Sequence, residues 1–354
     1  MFGVYIDRVG KSLNAVTAHL KTSETLRAMI AEAVGSPSSN GGLDLARVLN
    51  PPDPTEWRVI DYAAALSRTY AIYEQFVHEL MRELINFLET SGPFQELDGK
   101  FQSSYRHGFS AIAQKIDYAR YSHISLRAIV SDYSNALSGN LPYKLLPEAM
   151  LTHDKNLSMN ELSQLFSPCG IDNMGSFIDE HPEMIAFFSA EQRLSADATA
   201  ELKRFIQDRN DSAHGGLTIG QILGQDELIE YAQFCAVLCQ CVAERIQKGV
   251  LNKSLEVGKA VLFCQPTEVY KKGLVVIATV DGTVSKGMEL YAIGGGRCYE
   301  LSVDSVQLDD AELDGFSTLG PLDIGLGLNQ PVRKGYKLLR RINAAAVEPE
   351  GETP

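Results

Sequence analysis

Apolar residues recur at helical spacing through the first two-thirds of the chain. Val9, Leu13, Val16 and Leu20, continued by Leu26, Met29, Ile30 and Val34, hold one stripe and predict a long helix over residues 4–34. The run Ser36-Pro37-Ser38-Ser39-Asn40-Gly41-Gly42 ends it as a loop. After Pro51-Pro52-Asp53-Pro54 a second helix is predicted over residues 55–89, with Leu66, Tyr70, Tyr73, Phe76, Val77, Leu80, Leu84 and Phe87 as core surface. Residues 101–137 predict one or two more helices. Residues 140–175 read as short helical pieces, punctuated by Asn140-Leu141-Pro142-Tyr143 and Ser167-Pro168-Cys169-Gly170. Ser195-Ala196-Asp197-Ala198 is an N-cap pattern for the next helix. A last helix over residues 226–248 carries Leu228, Tyr231, Cys235, Leu238, Val242 and Ile246 inward.

The pattern changes at Gly258. Short β-rich runs follow at residues 260–264, 274–280, 288–293, 297–306, 322–328 and 336–339, with Asp281-Gly282 and Gly294-Gly295-Gly296 read as turns. Six or so strands at this spacing predict a small closed barrel. The expected organisation is α+β in two parts: a helical bundle over residues 1–250 and a β-barrel over residues 256–342. A disordered acidic tail is expected over residues 343–354.

Composition sharpens this little until charge is considered. The 354 residues are 45% hydrophobic and 22% charged, as expected of a folded water-soluble protein. No apolar run approaches the roughly 20 residues that span a bilayer. The early charges of Met1-Phe2-Gly3-Val4-Tyr5-Ile6-Asp7-Arg8 do not suit a secretory leader, so a cytoplasmic location is expected. Cys235, Cys239 and Cys241 fall in an apolar helical run and read as reduced core thiols. Cys239-Gln240-Cys241 lacks a partner pair at metal spacing, and no metal or cofactor is expected. The net charge of −13 argues against indiscriminate coating of nucleic acid, which needs a basic surface. Residues 258–341 hold ten Lys/Arg and ten Asp/Glu, so most of the acidic excess belongs to the helical part.

Candidate chemistry is concentrated in Arg209-Asn210-Asp211-Ser212-Ala213-His214, followed by Gly215-Gly216. Imidazole exchanges a proton near neutral pH, and guanidinium is a permanently charged fork that matches phosphate oxygens. On a straight helix Arg209 and His214 lie roughly 140° apart, whereas Asn210 and His214 share a face. The plain alternative is a helix terminus, its cations complementing the dipole and Gly as the cap. Elsewhere, Glu74 between Tyr73 and Phe76 is either a solvated residue or one that orients an Arg or His of another helix. In Tyr105-Arg106-His107 a lone His beside an Arg reads as a surface or helix-start pair.

The Arg–polar–spacer–His pattern of residues 209–214 resembles the HEPN superfamily. Ser67-Arg68-Thr69-Tyr70-Ala71-Ile72-Tyr73-Glu74-Gln75-Phe76 is similar to the early core helix of the MAE-type HEPN-like nucleases. Asn156-Leu157-Ser158-Met159-Asn160-Glu161-Leu162, followed by Cys169-Gly170-Ile171, is similar to the segment before their motif helix. The resemblance covers about residues 1–248. It implies a metal-independent endoribonuclease acting as a homodimer on RNA. His214 would be general acid/base, Arg209 the phosphate holder and Asn210 a positioning residue, supported by Asp211, Ser212 and Glu74. Attack by the ribose 2′-OH would leave a 2′,3′-cyclic phosphate and a 5′-OH. Many members belong to toxin or anti-phage systems, which implies growth arrest on activation and a possible regulatory or antitoxin partner. The competing expectation is a non-catalytic RNA- or protein-binding module.

The β-rich part resembles domain II of the translational GTPases. Gly282-Thr283-Val284-Ser285-Lys286-Gly287-Met288-Glu289-Leu290 follows their strand–turn–strand motif, with Met288 where Asp is usual, and Asp304-Ser305-Val306 and Val332-Arg333-Lys334-Gly335-Tyr336 continue it. A phosphate loop of the G-x-x-x-x-G-K-[ST] type does not occur, so GTP hydrolysis is not expected. In that family the barrel contacts tRNA ends or the ribosome; here the resemblance implies either targeting of the nuclease to translation components or a purely structural or dimer-forming module.

Overall fold

The computed structural model describes residues 2–35, 51–152, 155–190, 197–213, 222–309 and 311–342. Two long helices open the chain, α1 (Gly3–Gly35) and α2 (Pro54–Ser91). Asp53 caps α2, its carboxylate accepting from Thr55 N at 2.9 Å, and Pro54 fills the first turn, where no N–H is needed. The predicted α2 stripe is buried from Leu66 through Phe87. On α1, Val9, Leu13, Val16, Leu20 and Ile30 are buried, but Leu26 and Met29 are exposed at 36% and 46%. Here the polar Ser23 takes the inward place. Its hydroxyl donates to the buried Asp61 of α2 at 2.5 Å, and Arg27 pairs with the same carboxylate.

The middle of the chain forms α3 (Gly99–Gln114), α4 (Leu126–Leu137), α5 (Met159–Phe166), α6 (Met174–Asp179) and α7 (Pro182–Ala190). Phe94, Phe101, Tyr105, Phe109 and Tyr133 pack there in edge-on and stacked pairs 4.8 to 6.4 Å apart. Arg106 and His107 are exposed beside the buried Tyr105. Gly108 lets α3 approach the 147–150 turn so closely that a Cβ would lie 1.7 Å from the Ala149 carbonyl oxygen.

Two further helices complete the bundle, α8 (Ala198–Ala213) and α9 (Gln225–Glu256). Asp197, within the expected capping stretch, closes the N-terminal turn of α8, accepting from Ala200 N at 2.7 Å; Ser195 and Ala196 lie outside the described residues. α9 outruns its expected end at residue 248 by two turns. Lys248, Asn252 and Lys253 gave the sequence a polar texture there, yet Val250, Leu251 and Ser254 are buried. Leu251 sits against Tyr291, Cys298 and Leu339 of the following sheet.

That sheet has eight strands: β1 (Ala260–Cys264), β2 (Pro266–Tyr270), β3 (Val275–Ser285), β4 (Glu289–Gly294), β5 (Arg297–Leu308), β6 (Ala311–Leu313), β7 (Gly315–Leu328) and β8 (Lys337–Arg341). All pairings are antiparallel, in the order β1-β8-β4-β5-β7-β3-β2, with β6 on β5. The closed barrel expected from strand spacing is instead a curled half-barrel. Its outer strands β1 and β2 are bonded to β8 and β3 respectively, and among the described residues no strand pairing joins them to each other. Inward residues such as Val276, Ala278, Leu290, Leu301, Val306 and Leu326 fill the curl. The Gly294-to-Gly296 turn is present, with Gly295 and Gly296 at φ +56° and +77°. Asp281-Gly282 is no turn: β3 runs through it, and its register against β7 shifts between Val280 and Gly282, the signature of a bulge.

A polar joint links helices to sheet. Glu244 of α9 accepts from Arg297 Nη2 at 2.9 Å, from Cys298 N at 2.9 Å and, at 3.1 Å, from the Nε2 of fully buried His181. Glu183 N donates to His181 Nδ1 at 3.2 Å, which leaves the imidazole proton on Nε2, facing Glu244. Burial alone would raise the Glu244 carboxyl, but the bonds from His181 and Arg297 outweigh it and hold it at about 2.

Candidate functional site

The site is assembled around the last turn of α8. Phe205 and Ile206 bury one face of this helix, leaving Arg209 and Asn210 half-buried at its edge. Beneath them lies Tyr70 of α2, with the Arg209 guanidinium 4.3 Å from the centre of its ring. Such a contact contributes about 0.5–2 kcal/mol and orients the planar fork without neutralising it. Arg209 Nη1 donates to Asn210 Oδ1 at 3.0 Å and to Asn156 Oδ1 at 3.3 Å. Asn156 Nδ2 in turn donates to Asn210 Oδ1 at 3.3 Å, closing a three-residue amide–guanidinium ring. Among the described residues no carboxylate pairs with Arg209.

The support for Asn156 is itself built in. Leu157 N donates to Tyr70 Oη at 2.9 Å, and Tyr73 Oη donates to the Leu157 carbonyl at 3.0 Å. Two tyrosines one turn apart therefore pin both backbone groups of the residue after Asn156. Burial pushes the Tyr70 hydroxyl up to about 12, against the lowering effect of the Leu157 bond and Arg209. Tyr70 stays a neutral hydrogen-bonding phenol.

The other expected site residues divide. Glu74 takes a long 3.5 Å bond from Tyr70 Oη, so it reaches Arg209 only through that tyrosine. Ser212 turns back to donate to the Arg209 carbonyl at 2.7 Å, stiffening the turn. Asp211 is exposed and accepts from Gln207 at 2.9 Å. His214, Gly215 and Gly216 lie outside the described residues; α8 is described to Ala213, the residue before the histidine.

Two contributors were not singled out from sequence. Asn156 meets Arg209 across more than fifty residues, and only its place just before the Ser158 cap, in a segment already set apart by resemblance, pointed to it. Asp208 faces away from Arg209 and accepts from Tyr231 of α9 at 2.5 Å. Burial raises its carboxyl, opposed by that bond and by Arg204. Tyr62 of α2 lies near enough to feel it: its hydroxyl is pushed up to about 12 by burial and by Asp208 and Asp211.

Chemically, the arrangement offers a braced guanidinium at a helix end, paired with no described carboxylate and followed in sequence by an imidazole. No helix among the described residues is long and apolar enough to cross a membrane. No curated relative matches the chain. One solved structure, the C-terminal domain of a Geobacillus thermoleovorans putative U32 peptidase, is 16% identical over 23% of this chain and 93% of its own, at a TM-score of 0.20. Residues 43–248, more than half of the chain and the whole of the Arg209 network, match the family described as RiboL-PSP-HEPN, and the protein belongs to that HEPN family.

Proposed function

We propose that this chain is an endoribonuclease in which Arg209 holds the scissile phosphate and His214 transfers the proton. The 2′-oxygen of the ribose forms a bond to the adjacent phosphorus as its proton leaves to the imidazole. The bond from phosphorus to the 5′-oxygen breaks, and that oxygen is protonated, giving a 2′,3′-cyclic phosphate and a 5′-OH. DNA lacks the attacking hydroxyl and is not a substrate. Charge on the phosphate oxygens rises during the step, where a preorganised guanidinium is worth most. The step needs a proton carrier and a cation, which these two side chains supply without a metal.

The observation that carries this reading is the setting of Arg209: stacked on Tyr70, bonded to Asn156 and Asn210, and paired with no described carboxylate. Asn210 acts as its positioning residue. In a straight helix Arg209 and His214 diverge, so the reading includes a homodimer whose two motifs face one cleft. The half-barrel is proposed to direct cleavage to tRNA or the ribosome, on the strength of its Gly282-to-Leu290 motif, and triggered activity to arrest growth as in toxin or anti-phage systems. The test is sequencing of RNA ends after expression of the parent and His214→Ala. Discrete new 5′-OH ends confined to the parent are expected; the same ends from His214→Ala overturn the assignment.

A non-catalytic RNA- or protein-binding role is favoured by one feature, the acidic residues Asp208 and Asp211 beside the motif. Binding without cleavage, unchanged by Arg209→Ala and His214→Ala, distinguishes it.

A further inference from the structure

A chain of net charge −13 with aspartates beside its motif must draw a polyanion to the site by some other surface. The cleft between α1 and α2 has that character. Arg8, Lys11, Ser12 and His19 of α1 and Ala64 and Arg68 of α2 line a cavity of about 490 Å³. A second cavity of about 180 Å³ shares Arg8, Ser12 and Arg68 and extends past Ala71 and Gln75 to Glu79. The two make one groove. Spacings of three, four and seven residues put its α1 members on a single stripe, and Arg8 to His19 spans about 17 Å of helix.

The charges are unequally committed. Arg8 pairs with Glu79 at 2.6 Å, and His19 with Asp61 at 3.3 Å. Lys11 and Arg68 are exposed and have no acidic partner among the described residues. Ala15, Ala64 and Ala71 keep the floor low, so a ligand can approach the cations closely. A second copy docked two-fold on this groove would set Lys11 and Arg68 against their own equivalents, which favours an anion as occupant.

We infer that the α1–α2 groove is a phosphate track, binding the sugar–phosphate backbone of single-stranded RNA through Lys11 and Arg68. This rests on the ribonuclease reading for its choice of RNA. Phosphate contacts of this kind give affinity and register without base preference.

The test uses the full chain and a labelled 20-nucleotide RNA carrying 2′-O-methyl groups, which block cleavage. Affinity is measured by fluorescence anisotropy over a salt series for the parent, for Lys11→Glu with Arg68→Glu, and for Lys100→Glu with Arg127→Glu as a control of equal charge on other exposed helix positions. The groove pair is expected to weaken binding at least tenfold and to flatten the log–log salt slope by about 1.4, as for two lost phosphate contacts on a single strand. The control is expected to change affinity less than threefold. Equal losses in both pairs overturn the track, since net charge alone then accounts for binding. Unchanged RNA affinity with a dimer-to-monomer shift in sedimentation also overturns it and assigns the groove to a second copy. His214-dependent cleavage of ordinary RNA with no effect of the groove pair removes the track and leaves the nuclease. No His214-dependent cleavage, with binding that still needs Lys11 and Arg68, supports the track and removes the nuclease.

Discussion

The Arg209 guanidinium lies 4.3 Å from the centre of the Tyr70 ring, and the hydroxyl of that ring accepts the backbone N–H of Leu157. One phenol thus supports the cation from below and fixes the strand of chain that holds it from the side. Replacing Arg209 by Lys keeps the charge but removes the planar fork and the stacking. Single-turnover cleavage is expected to fall between tenfold and a thousandfold, on the order of 1.4–4 kcal/mol of transition-state stabilisation. Thermal unfolding is expected to move by no more than a few degrees.

Tyr70→Phe separates the two duties of the tyrosine. The ring remains under Arg209, while Leu157 N loses its acceptor in a buried place. Such an unsatisfied donor costs about 1–3 kcal/mol, to be read as a lower urea midpoint at unchanged slope.

Asn156→Ala leaves the Leu157 clamp intact and removes one side of the amide–guanidinium ring. The expected result is a loss of kcat of roughly tenfold with KM changed little, because the positioning of Arg209 suffers rather than substrate binding. A pure structural role would instead lower the melting temperature and leave kcat per folded molecule as in the parent.

The Glu244 joint carries a pH signature. Its folded carboxyl titrates at about 2, below the ordinary carboxylate value of 4.5, so the native state favours the ionised form. The contribution, about 3 kcal/mol, is fully present above pH 4.5 and is lost as pH falls toward 2. Urea titrations at pH 6 and pH 3 are expected to show a smaller drop for Glu244→Gln than for the parent.

Gly108→Ala probes the close approach of α3 to Ala149, where the new methyl meets a carbonyl oxygen of the backbone. A backbone atom cannot swing aside as a side chain can. The substitution is expected to destabilise by about 1–3 kcal/mol in denaturant unfolding.

The long helices were legible because their apolar stripes are unbroken, as on α2 from Leu66 to Phe87. The last two turns of α9 were not, because what makes them helical is burial of Leu251 under a sheet far along the chain. β2 escaped notice because Pro266 and Glu268 interrupt the apolar run, and the β3 bulge at Asp281-Gly282 carries the same residues as a turn. At the site, Arg209 and Asn210 declared themselves as neighbours. Asn156 could not, since a contact between distant positions leaves no local pattern. Asp211 and Ser212 were expected as supporting groups that the sequence does not tell apart, and the phase of the helix parts them, Asp211 outward to Gln207 and Ser212 back onto the Arg209 carbonyl.

α9 serves the bundle through Tyr231 and the sheet through Glu244 and Leu251, and it does so as one helix of 32 residues, about 48 Å long. The chain has no slack between its two parts. Melting either part exposes a face of the same helix, so heat capacity should rise through one cooperative transition, with equal calorimetric and van't Hoff enthalpies.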